Sequence, residues 1–195
     1  EIVLVEVERE LARTEPDPEI QDLIRASEGL NLALDYRPGA VTFDPIAWEA
    51  DVDLASRIVW LDALVTNIDR TPRNTNMMVW HDHLWLIDHG SALYFHHAWD
   101  DALKRSRSGF TQIKDHVLLP FASHLSEVDT DMARHLDESV VREVVASIPD
   151  SWILDEPGFA HPDALRDAYV QWLTTRLMMP REFCEEAVRA RTALV

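Results

Sequence analysis

The sequence predicts an α+β fold, predominantly helical, with a small β-hairpin set among the helices. Two short apolar runs flanking a polar break near residue 82 are the pattern of a hairpin. Apolar residues gather densely around Ile58 and recur at helical spacing around Val141 and beyond Pro162. The 195 residues, 47% hydrophobic and 27% charged, have the size and composition of one domain or one lobe of a larger one.

Taken in order, Ile2 to Val7 alternates and carries β-branched residues, so it reads as a strand. Asp17 followed by Pro18 is a cap and first-turn pair for a helix running to Gly29. Leu30 to Leu34 is a second short strand, and Tyr36 to Trp48, with Pro38, Gly39 and Pro45, is a loop. From about Asp51 to Thr66 the density of Ala55, Ile58, Val59, Leu61, Ala63 and Leu64 predicts a largely buried helix. A polar loop, Asn67 to Thr75, leads into the hairpin: Met77 to Trp80, a three-residue break His81-Asp82-His83, and Leu84 to Ile87. Ser139 to Ser147 is helical and stopped by Pro149, Pro162 to Met179 is a longer helix, and Pro180 separates it from a last helix, Arg181 to about Thr192. These elements group as 1–36, 50–98 and a helical 99–195 within one lobe.

Composition excludes several classes of function. With 18 basic and 35 acidic residues the formal net charge is -17, which repels nucleic-acid phosphates and anionic membranes. No apolar run approaches the roughly 18 residues of a membrane helix. A single cysteine, Cys184, forms no internal disulfide, and no secretion signal is visible, so a cytoplasmic location is expected. Of the five glycines none fall close enough together for a phosphate-binding loop of the Walker or dinucleotide type.

The informative segment is Leu61 to Gly90, LDALVTNIDRTPRNTNMMVWHDHLWLIDHG. Asp69 precedes Asn74 by five residues, Asn74 sits where the first hairpin strand begins, and Asp88 follows the end of the second. Antiparallel pairing brings those two ends together, so Asn74 and Asp88 are expected to converge. An amide oxygen and a carboxylate are hard ligands of the kind Mg²⁺ takes when phosphates and water complete its shell. Asp69 is then free to orient an attacking hydroxyl and accept its proton, which is most of what phosphoryl transfer asks of a protein. Arg70 and Arg73 supply charge to keep Asp69 ionised or to engage phosphate oxygens.

D-R-T-P-R-N, apolar strands and L-I-D-H-G resemble the catalytic loop and metal-binding aspartate of HipA-like serine/threonine kinases and, more distantly, of phosphatidylinositol 4-kinases. The resemblance implies the hinge and C-terminal lobe of a protein-kinase-like fold, with ATP and Mg²⁺ as cofactors. Asp69 would be the catalytic aspartate, Asn74 and Asp88 the metal ligands, and Asp88-His89-Gly90 the counterpart of the D-F-G triplet. Ile2 to Val7 would be the strand entering the hinge, with Glu6 or its neighbours offering backbone groups to the adenine. The acceptor implied is a hydroxyl, Ser or Thr of a protein, or else a small molecule or inositol lipid. A nucleotide-binding module without turnover is the other class. A kinase lysine must precede the catalytic aspartate, whereas Lys104 and Lys114 follow it. The amino lobe is therefore expected to lie outside this chain, and the chain alone to be inactive.

Asp and Asn before a strand also serve ordinary turn chemistry, and it is Asp88 in register that favours a phosphotransfer site. His81, His83, His89, His96 and His97, with Asp82 and Asp88, offer a zinc set, but His81 and His83 sit at the hairpin end opposite Asp88. Trp60, Trp80, Trp85, Met77 and Met78 read as core.

Overall fold

The computed structural model describes residues 2–154 and 156–194. The chain divides into two compact units, one up to Gly39 and one from Ala40 onward; the sequence suggested a single lobe whose first section ended at Tyr36. With about 49% helix and 12% strand in small antiparallel sheets, the fold is α+β and predominantly helical, consistent with a kinase-like C-terminal lobe.

In the first unit β1 (Ile2–Val7) pairs antiparallel with β2 (Gly29–Leu34), Ile2 facing Leu34 and Val7 facing Gly29. A 3₁₀ turn, Arg9–Thr14, and α1 (Pro18–Ala26) connect them. Asp17 caps α1 by accepting from the Glu19 amide, and Pro18 occupies the first turn, where its missing N–H is no loss. The helix ends at Ala26 rather than at Gly29, whose φ of +104° starts β2 instead. Ala12 is the one buried residue among those described in this unit.

The second unit is built around α2 (Val52–Leu64), in which Ala55, Val59, Trp60 and Ala63 are fully buried. Asp51 caps it by accepting from Leu54 N at 2.9 Å. Against α2 pack α4 (Leu125–His135) and α7 (Glu182–Thr192). They are clamped where Trp60 Nε1 and Arg181 Nε both donate to Asp129 Oδ1, at 2.8 and 2.7 Å. The stretch between the hairpin and Ser139, for which periodicity gave no element, holds α4, the short α3 (Ala102–Ser106) and three 3₁₀ turns, Tyr94–His97, Thr111–Asp115 and Leu119–Phe121. α5 (Glu138–Ala146) and α6 (Pro162–Leu177) follow the sequence pattern within two residues at each end. No helix among the described residues is long and apolar enough to cross a membrane.

The hairpin consists of β4 (Met77–Trp80) and β5 (His83–Leu86), with Met77 opposite Leu86 and Trp80 opposite His83. Its turn has two residues, not three. His81 and Asp82 both take positive φ, 50° and 59°, which matches the twist of the strands and lets His83 open β5. β3 (Val41–Thr42), inside the stretch read as loop, adds a third strand by pairing with β4. Two residues carry no detectable alternation, so only the partner strand reveals them.

Candidate active site

Beyond α2 the chain turns sharply at Thr66, which is left-handed with φ 56°. Asn67 pins this turn. Its backbone N–H and its Nδ2 donate to Asp62 O and Oδ1, at 2.9 and 3.0 Å, and its Oδ1 accepts from Asp69 N at 3.2 Å. Thr71 and Asn74 then exchange two backbone bonds, 2.9 and 3.1 Å, which close a tight turn with Pro72 and Arg73 at its tip. That turn folds Asn74 back on Asp69, and Asn74 Nδ2 donates to Asp69 Oδ2 at 2.8 Å.

Asn76 also donates from Nδ2 to Asp69 Oδ2, at 3.1 Å. The tight turn Thr71–Asn74 and the left-handed φ of 46° at Asn76 bring both amides to the same carboxylate oxygen. A carboxylate only accepts, which obliges both amides to turn their NH₂ groups toward it and their oxygens elsewhere. The expectation named Asn74 alone. Asn76 is the more buried of the two, and its carbonyl accepts from Ile87 N at 3.0 Å.

The hairpin ladder ends with Met77 opposite Leu86, and Asn76 follows it with a left-handed φ of 46°, so β4 begins three residues after Asn74 rather than at it. Asp88 leaves the ladder with φ 49°, and its exposed carboxylate accepts through Oδ1 from Gly90 N at 3.3 Å. A Cβ at Gly90 would meet that same oxygen at 3.3 Å, a contact that the Asp88 carboxylate must yield to by a few tenths of an ångström. The chain after Gly90 is then tied to the loop before Asp69: Ile68 N donates to Ser91 O at 3.4 Å and Leu93 N to Val65 O at 2.6 Å. A cavity of about 660 Å³, in the range of ligand sites, borders this end of the hairpin and is lined by Asp44, Arg73, Asn74, Asn76 and Ile87 among others.

Arg70 is placed otherwise than expected. It is 1% exposed, with Nε donating to Asp62 Oδ2 at 2.5 Å and Nη1 to the carbonyl of Asn76. Committed to these buried acceptors, its side chain has no access to phosphate, and it acts on the site by holding the loop. Asp62 is the hub. Leu118 N donates to His116 Nδ1 at 3.0 Å, so the proton resides on Nε2, which donates to Asp62 Oδ2 at 2.9 Å. Burial alone would push the Asp62 carboxyl up. Hydrogen bonds from His116 and Arg70, together with the Arg70 charge, outweigh it and hold the carboxyl below the usual range. His89 is pushed down by burial and then by the Arg70 charge, so its imidazole stays neutral near pH 7. Arg73 is exposed at the turn tip. Glu6 is exposed on β1 opposite Leu30, in the first unit, with Glu8 and Glu10 lining the same shallow cavity, an acidic setting that disfavours phosphates.

The family model described as HipA-like kinase matches residues 1–183. The chain belongs to the HipA-like kinase family. No curated protein and no solved structure matches it. Membership in the HipA-like kinases suggests phosphotransferase activity and implies ATP and, as is usual for a kinase, a divalent metal. The oxygen donors fit such an ion: Asp88 offers an exposed carboxylate, and Asn74 and Asn76 have amide oxygens turned away from Asp69. That hard set leaves room for phosphates and water in an octahedral shell. No three His, Cys, Asp or Glu side chains gather as a metal site among the described residues. His81 and His83 of this HipA-like kinase lie at the hairpin turn, at the opposite end of β4 and β5 from Asp88.

Proposed function

We propose that this HipA-like kinase transfers the γ-phosphate of ATP to a hydroxyl, with Ser or Thr of a protein as the acceptor. The observation that carries the reading is the fixing of Asp69. Both amide bonds fall on its Oδ2, so the carboxylate is oriented while Oδ1 accepts from no side chain or backbone donor among the described residues. A general base needs that combination of fixed orientation and a free lone pair. Asp69 therefore receives the hydroxyl proton, Asp88 and Asn74 hold Mg²⁺, and Asn76 orients the base from the strand side. Mg²⁺, when bound, would neutralise the phosphates as charge shifts in transfer. Arg73, exposed at the turn tip, meets phosphate oxygens, and Arg70 with Asp62 keeps the loop in shape.

The test is to incubate the full-length polypeptide carrying this chain with Mg²⁺ and radiolabelled ATP, in the presence of a lysate and, separately, a panel of sugars, aminoglycosides and inositol lipids. Label on Ser or Thr of a protein supports the reading. Label confined to a small molecule replaces the acceptor but keeps the chemistry, and absence of label from every acceptor contradicts it.

A further inference from the structure

The tip of the turn that folds Asn74 onto Asp69 borders a second cavity, of about 590 Å³. Pro72 and Arg73, at that tip, line both this cavity and the one bordered by Asn74 and Asn76. Those two asparagines donate to Asp69 Oδ2, so the two cavities share the tip of the catalytic loop as a wall. Another part of the lining, Lys114 to Val117, is tied to the same loop by hydrogen bonds. Val117 N donates to Arg70 O at 3.0 Å, and His116 Nε2 donates to Asp62 Oδ2 at 2.9 Å.

The cations of this lining are free to meet a ligand. Arg73 and Lys114 are both exposed, and neither side chain has a hydrogen bond or ion pair among the described residues. His116 also lines the cavity, but both its nitrogens are engaged, by Asp62 and by Leu118 N. Asp115 adds one exposed carboxylate that pairs with neither cation. The three residues per turn of the 3₁₀ segment set it about 120° around from Lys114. In a chain with 35 acidic and 18 basic residues, two cations against one carboxylate reverse the prevailing sign. Pro72, Val117 and Pro120 supply apolar surface beside them. A single net positive charge next to apolar surface matches one carboxylate on a carbon stem. It falls short of neutralising a phosphorylated residue, which carries about −1.5 to −2.

We propose that this cavity is the subsite for an aspartate or glutamate of the acceptor polypeptide, two or three residues from the hydroxyl presented to Asp69. This rests on the phosphotransfer reading and deepens it. The flanks of the two-residue turn between Thr71 and Asn74 lie about 5 Å apart. Extended chain advances about 3.4 Å per residue, so a polypeptide crosses the tip in two or three residues. A small hydroxyl compound fills one cavity, whereas a polypeptide laid over Pro72 and Arg73 uses both. Lys114 pairs with the carboxylate, the Arg73 charge on the shared wall adds to the attraction, and Val117 and Pro120 pack against the stem.

The test uses synthetic peptides with a single serine in a neutral background, carrying glutamate, glutamine, phosphoserine or lysine two or three positions to either side. Binding to the full-length polypeptide is read by the anisotropy of an uncharged fluorophore, and transfer by label from radioactive ATP. The expected result is that a glutamate peptide binds roughly fivefold more tightly than its glutamine counterpart, the scale of exposed ion pairs. Lys114→Glu, at an exposed position where melting should stay within about 2 °C, should abolish that difference and favour the lysine peptide. A merely structural role for Lys114 would not exchange the preference in this way. Equal binding of glutamate and glutamine peptides at every position, a preference confined to phosphoserine, or a glutamate preference untouched by Lys114→Glu overturns the subsite. Binding needs no turnover, so such a failure with label still reaching serine leaves phosphotransfer standing. A glutamate preference that depends on Lys114, in a polypeptide that transfers phosphate to nothing, keeps the carboxylate seat and overturns the phosphotransfer reading instead.

Discussion

Replacing Arg70 by methionine removes the cation from a pair in which both side chains have no solvent exposure. The Asp62 carboxylate keeps its bonds from Asn67 and His116 but loses its counter-charge, and stranding one partner of a buried pair costs about 3–5 kcal/mol. At roughly 2–4 °C per kcal/mol for a chain of this size, melting should fall by about 6–20 °C, read by calorimetry or circular dichroism. The pH dependence has a defined sign. A carboxyl held below its usual value contributes fully above about pH 4, and that contribution is lost as pH falls through the folded value. Variant and wild type should therefore differ most near neutrality and converge in acid, where Asp62 is protonated. Arg70→Lys is also expected to destabilise, because one ammonium cannot serve Asp62 and the Asn76 carbonyl in the geometry of a guanidinium fork. Removing both charges with Asp62→Leu and Arg70→Met together should cost less than the sum of the single changes. An Arg70→Met variant that melts within about 2 °C of wild type would refute the assignment of this pair as the brace of the loop.

Gly90→Ala should leave melting within about 2 °C, as expected of an exposed position, while impairing Mg²⁺-dependent ATP binding, because the new methyl displaces Asp88 Oδ1; unchanged affinity by calorimetry would contradict the role given to Asp88. Cys184 is buried against the Leu125 carbonyl, and burial, then Asp129, pushes its thiol up to about 12. Iodoacetamide at pH 8 should label it only after denaturation, and labelling of the native chain would show that α7 opens. Asp129→Asn exchanges the bidentate pairing with Arg181, at 2.7 and 2.6 Å, for a neutral amide. Burial acts against the Asp129 carboxyl, but Arg181 and Trp60 hold it low, so the loss on substitution should be several degrees near pH 7 and shrink toward pH 3, as thermal melts across pH would report.

α1, α2, α5, α6, α7 and the hairpin were legible because their signals are local, whereas α3 and α4 were not read. Capping at Asp17, the proline starts at Pro18 and Pro162, and dense apolar residues in α2 lie within a few residues of the structure they specify. β3 was hidden because two residues in a Pro- and Gly-containing stretch form a strand only through pairing with β4. The contact of Asn74 with Asp69 was legible from their five-residue spacing. The inner layer of the site was not, since Arg70 beside a catalytic aspartate looks like a phosphate ligand until Asp62, eight residues earlier, and His116, far downstream, are seen to enclose it. Asn76 was missed for a narrower reason: five-residue spacing from Asp69 selects Asn74, whereas Asn76 reaches the same carboxylate through a left-handed φ of 46° that the spacing does not announce.

The central claim, that Asp69 is the base of a phosphotransfer site, is tested most directly by Asp69→Asn in the full-length polypeptide. The substitution is nearly isosteric and removes the proton acceptor without touching Asn74, Asn76 or Asp88. Mg²⁺-dependent ATP binding, measured by calorimetry, should remain near wild type, while transfer of radiolabelled phosphate to the acceptor should fall by roughly 10²–10⁴-fold, the usual contribution of a positioned base. Near-normal turnover by Asp69→Asn would contradict the account.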